Sequence, residues 1–76
     1  MIGKRLRQLR EDAGLTQREL AIRAGVLIKT ISELERDVND NPELRTLQAI
    51  AGALGKPVAE LLEAPSPEPA GKAVGQ

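Results

Sequence analysis

The sequence contains no cysteine, no histidine and no tryptophan, tyrosine or phenylalanine. Without thiols or imidazoles there is no thiol nucleophile, no Cys/His zinc site and no histidine acid–base catalyst. Without aromatic rings there is no platform on which unpaired bases could stack. Ser32 and Ser66 therefore have no histidine to activate them, and the neighbouring Glu11 and Asp12 have neither a glycine-rich phosphate loop nor partner ligands beside them. We expect no enzyme, no cofactor, no metal and no small-molecule substrate. Long apolar runs are missing too: nothing approaches the roughly 20 residues that cross a bilayer, and the opening MIGKRLRQ lacks the apolar segment of a secretion signal. The expectation is a cytoplasmic protein with no membrane partner.

What is present is an aliphatic chain of 76 residues, 41% hydrophobic, which is room for one small domain with a modest core. Eleven basic residues balance eleven acidic ones, but unevenly. Residues 1–36 carry eight Lys/Arg against five Asp/Glu, and residues 37–76 carry three against six, so the charge is plus three in the first part and minus three in the second.

Apolar spacing predicts five helices. Ile2, Leu6, Leu9 and Ala13 recur at helical intervals, with Lys4, Arg5, Arg7 and Arg10 between them and Gly14 as a left-handed stop, for a helix over about 2–13. LTQREL follows. Thr16 can cap the amide of Glu19, Glu19 can reach back to Thr16, and Leu15 can pack on Leu20, so a second helix starts here and runs over about 17–24 through Leu20, Ala21 and Ala24 to Gly25. Almost no chain separates Gly25 from the next pattern, LIKTISELER, which makes a helix over about 28–36 with Ile31 and Leu34 on one face and Lys29, Ser32, Glu33 and Arg36 on the other.

DVNDN is an aperiodic loop. Asn41 and Pro42 then read as cap and first turn of a fourth helix carrying Leu44, Leu47, Ile50, Ala51 and Leu54 and ending at Gly55. Pro57 starts a short fifth helix through Val58, Leu61 and Leu62. APSPEPAGKAVGQ has three prolines and one large apolar residue, so the division is an ordered domain over 1–63 and a disordered tail over 64–76. The expected core is Leu6, Leu9, Leu20, Ala21, Ile31, Leu34, Leu47, Ile50 and Leu54. Leu61 and Leu62 are candidates for either core or a dimer interface.

Two short helices joined through a glycine, with small Ala21 where they touch, is the physical recipe for a helix-turn-helix. TQRELAIRAGVLIKTISELER followed by PELRTLQAIAGALG resembles the Cro/phage-repressor type of helix-turn-helix DNA-binding domain, over about residues 4–62. The resemblance implies an all-α, compact five-helix, lambda-repressor-like fold and a transcriptional regulator, a repressor in particular, with the third helix in the major groove of double-stranded DNA. Carried over by position, Ile28, Lys29, Ser32 and Glu33 face base edges, with Leu27 at the margin. Lys29 can donate to guanine, Glu33 can accept from cytosine N4, and Ile28 can cover a thymine methyl. Gln17 matches a phosphate contact at a helix N-terminus, and Arg36, Asn39, Asn41 and Arg45 are further phosphate candidates. Arg10 and Glu35 match a salt bridge between the first and third helices, while Ala21, Gly25, Ile31 and Leu34 are structural.

The sequence departs from the family pattern in two places. Leu27 replaces the usual Ser or Thr cap, which leaves an amide uncapped and the helix start unusually apolar. Asp37 and Asp40 stand where Gly and Lys are common, and their carboxylates are expected near DNA phosphates, weakening a monomer. Tight binding would then need a weak or DNA-induced homodimer on a palindromic operator. The alternative reading is a protein–protein interaction module on the same fold that docks through Leu27 and Ile28.

Overall fold

The computed structural model describes residues 2–39 and 41–63, and the expected tail over 64–76 lies outside them. These residues form five helices and no strand: α1 (Gly3–Asp12), α2 (Gln17–Ala24), α3 (Ile28–Glu35), α4 (Leu44–Leu54) and α5 (Val58–Leu62).

The local signals explain most boundaries. Thr16 Oγ1 accepts from the Glu19 amide at 3.0 Å while Glu19 Oε1 accepts from the Thr16 amide at 2.9 Å, so α2 starts on a complete capping box. Gly25 closes α2 at φ 72°, a conformation that a side chain would strain. Its neighbour Val26 donates back to Ala21 O at 3.0 Å, so the chain turns within two residues and α3 can follow at once.

The fourth helix begins later than Asn41–Pro42 suggested. Asn39 Oδ1 accepts from the Asn41 amide at 3.1 Å, a side-chain turn that spends Asn41 outside the helix, and Glu43 stays extended at ψ 144°. The cap is Glu43 without a side-chain bond, and the first helical amide to find a carbonyl is that of Leu47, 3.1 Å from Glu43 O.

The core is Leu6, Leu9, Leu20, Ala21, Ile31, Leu34, Leu47, Ile50, Ala51 and Leu61, with Ile2, Leu15, Ala24, Val26, Ala53, Leu54 and Val58 packed around it. Leu54 is thus peripheral where the spacing put it inside, because Ala51 and Leu61 fill the centre. Leu61 is fully buried and Leu62 exposed, which assigns Leu61 to the core. Packing of α1 and α4 on the back of α2 and α3 leaves the outer face of α3 uncovered.

Candidate nucleic-acid interface

Helix α3 is anchored by Ile31 and Leu34, both fully buried. Ala21 meets it from α2 at 3% exposure, so a longer side chain there would have to displace close-packed neighbours. The opposite face is open. Leu27, in extended backbone with no side-chain cap, is 72% exposed and Ile28 is 48% exposed. Lys29 is exposed, and its Nζ lies 3.9 Å from Glu33 Oε2, a loose pair one turn apart that contributes only a few tenths of a kcal/mol. Ser32 and Glu33 are half-buried beside it. Ile28, Lys29, Ser32 and Glu33 therefore share one accessible helix, and none of their polar groups is locked into the core.

The far end of α3 is held by Glu35. Its carboxylate accepts from Arg10 Nε at 2.6 Å, Arg10 Nη2 at 3.1 Å and Gln17 Nε2 at 3.0 Å, and Arg10 Nη1 donates to Leu15 O at 2.8 Å. One carboxylate so joins α1, the start of α2 and the end of α3. The Arg10 pKa is raised by its hydrogen bonds to Glu35, against the opposing effect of burial. Gln17 was expected to point its amide at a phosphate. Its side-chain NH2 donates one hydrogen to Glu35, which leaves the second hydrogen and the first backbone amides of α2 as groups that an anion could approach there.

Arg36, Asn41 and Arg45 are exposed, and Asn39 is half-buried with its oxygen turned to Asn41. Asp37 departs from expectation. Its Oδ1 accepts the Gly3 amide at 3.1 Å, so the carboxylate faces the first turn of α1 rather than standing free in the loop. Asp40 lies outside the described residues.

Sequence reasoning also missed a clasp between α1 and α5. Arg5 donates through Nε to Glu60 O at 2.9 Å and through Nη2 to Glu60 Oε1 at 2.6 Å and Glu63 Oε1 at 3.4 Å. Partners 55 and 58 residues apart leave no periodic trace, and Arg5 reads in sequence as one more cation on a solvated face. Among the described residues no group of His, Cys, Asp or Glu is arranged to hold a metal, and no helix is long and apolar enough to cross a membrane.

The family model described as "Helix-turn-helix" matches residues 6–61. The chain belongs to this helix-turn-helix family, in its Cro/phage-repressor type. The helix-turn-helix chain is 36% identical over 63 residues to the transcriptional regulator SinR of Bacillus subtilis, covering 83% of this chain and 57% of SinR. It is 39% identical over 61 residues to the immunity repressor of Bacillus phage phi105, covering 80% of this chain and 42% of the repressor. The regulator DdrOP3 of Deinococcus deserti is 42% identical over 60 residues, covering 79% and 46% respectively. The chain thus spans about half the length of the curated relatives that it matches. Among solved structures, a crystal structure of SinR, described as the master regulator for biofilm formation, in complex with DNA superposes with a TM-score of 0.79 at 36% identity. That match covers 83% of this chain and all of the SinR chain.

Proposed function

We propose that this chain binds double-stranded DNA sequence-specifically as the reading domain of a transcriptional regulator, a repressor in particular, with α3 in the major groove. The observation that carries this is the division of α3: Ile31 and Leu34 are sunk in the core and Glu35 is fixed by Arg10, while the outward side of Ile28, Lys29, Ser32 and Glu33 stands open. The likeness to SinR, whose structure in complex with DNA superposes on this chain, supports DNA as the partner, and the docking geometry general to helix-turn-helix domains puts the second helix of the motif in the major groove.

In this reading Ile28, Lys29, Ser32 and Glu33 meet base edges. The α2 N-terminus at Gln17, with Arg36, Asn39, Asn41 and Arg45, holds phosphates and sets the register. Few cations face the backbone, so a single copy binds weakly and a DNA-induced homodimer on a palindromic operator supplies the rest. The domain acts in the cytoplasm over residues 1–63, needing no cofactor.

The exposure of Leu27 and Ile28 favours one second reading, a protein-docking module on the same fold. Substitution separates the two. If the DNA reading holds, Lys29→Ala weakens the preferred duplex by about 1 to 3 kcal/mol and relaxes one base pair. If docking holds, Lys29→Ala is silent, no duplex binds better than random, and Leu27→Ala or Ile28→Ala abolishes capture of a partner.

A further inference from the structure

Besides the shared core, helix α1 holds the end of α3 through two hydrogen-bonded contacts. One is Arg10 on Glu35. The other is Gly3, whose amide donates to Asp37 and whose backbone lies directly on α3: a Cβ on Gly3 would fall 2.5 Å from Glu35 O, 2.7 Å from Leu34 O and 2.9 Å from Asp37 Oδ2. Gly3 and Arg10 are seven residues apart, about 10 Å of helix. On the α3 side the two contacts fall at the helix end, at Glu35 and Asp37, so that end, already seated by buried Ile31 and Leu34, is tied to both ends of α1.

Asp37 adopts φ 57°, the left-handed conformation that glycine takes freely and other residues resist. The amide of Asp37 donates to Leu34 O at 3.2 Å and that of Val38 to Glu33 O at 2.9 Å, so this residue closes α3 in the way Gly25 closes α2. A glycine would close the helix with less strain. What aspartate adds is the acceptor for Gly3, placed at a helix N-terminus where a carboxylate is favoured.

We infer that Asp37 is a positioning residue for base reading: through Gly3 it pins the end of α3 to α1 and sharpens the placement that Ile31, Leu34 and the Arg10–Glu35 pair give the helix. The inference rests on the DNA-reading function proposed above. Base contacts need side chains placed within about 0.5 Å and 10 to 20°, whereas contacts to a uniform phosphate backbone tolerate more. Loss of the second pin therefore lowers discrimination before it lowers affinity for DNA in general.

The test compares Asp37→Gly with Asp37→Asn in the full chain. Both remove the same charge and both tolerate the left-handed backbone, but only asparagine keeps an oxygen for the Gly3 amide. Each variant is titrated against the duplex that the unaltered protein selects from a random library and against random duplex, with hydrogen exchange of the Gly3 amide and thermal melting recorded alongside. The expected result is that Asp37→Gly melts near the unaltered protein, exchanges its Gly3 amide faster, and loses roughly fivefold or more in the ratio of selected to random affinity, with the salt slope unchanged. Asp37→Asn keeps that ratio within about twofold, since the acceptor remains. An Asp37→Gly protein with an unaltered ratio, or an Asp37→Asn protein that loses as much as Asp37→Gly, overturns the positioning role and leaves DNA reading intact. If the unaltered protein selects no duplex, DNA reading itself fails and the positioning role falls with it.

Discussion

Arg10 Nε lies 2.6 Å from Glu35 Oε2, with the two side chains only 11% and 4% exposed, and this pair ties the first helix to the end of the third. A buried pair of this kind fixes geometry more than it adds stability, because desolvation offsets much of its attraction. Its removal by halves is another matter. Arg10→Ala leaves the Glu35 carboxylate buried with Gln17 as its remaining partner and is expected to cost on the order of 3 kcal/mol in urea unfolding, whereas the double replacement Arg10→Met, Glu35→Leu costs clearly less. Equal losses would mean that packing, not charge, sets the cost. Because the folded pKa of Arg10 is raised above its ordinary value, its contribution is present at every pH below the unfolded value and is lost only as pH rises through the folded one. Mutation rather than pH is therefore the way to remove it.

Ala21→Leu forces extra methyl groups into the contact between α2 and α3, where Ala21 is buried at 3% exposure. The urea midpoint should fall by the equivalent of about 1 to 3 kcal/mol. An unchanged midpoint would count against the close approach of the two helices.

Arg5→Met keeps the apolar stem but loses the guanidinium that holds Glu60 and Glu63. The expected loss is about 1 to 3 kcal/mol, with hydrogen exchange in α5 accelerating more than in α2 or α3. Uniform acceleration across all five helices would show that α5 does not depend on this clasp.

Arg36→Ala should weaken selected and random duplexes alike and lower the slope of log affinity against log salt by about one unit. Selective weakening of one sequence would move Arg36 from phosphate to base. Ile28→Ala should abolish any preference for thymine over uracil at the contacted position, since the 5-methyl group is all that separates those edges in the groove.

Much of this architecture was legible because its signals are local. Thr16 and Glu19 lie three residues apart, Gly14, Gly25 and Gly55 each follow the helix they end, and the spacing of Ile31 and Leu34 names the buried face of α3. Asn41–Pro42 misled for a local reason as well: the Asn39 side chain closes a turn on the Asn41 amide and Glu43 stays extended, so the helix starts at Leu44. The interactions that hold the site were not legible. Gln17 on Glu35, Arg5 on Glu60 and Asp37 on Gly3 join residues brought together only by the packing of the core, and a carboxylate read in one dimension as free charge becomes a fixed acceptor in three.

The most direct measurement is selection from a randomised duplex library at several salt concentrations, with the protein concentrated enough to pair on DNA. Reading by α3 requires enrichment of a two-fold symmetric sequence bound at least about a thousandfold more tightly than random duplex, with affinity falling steeply as salt rises. Recovery of no sequence above random would contradict the proposed function outright and leave the open face of α3 to a protein partner.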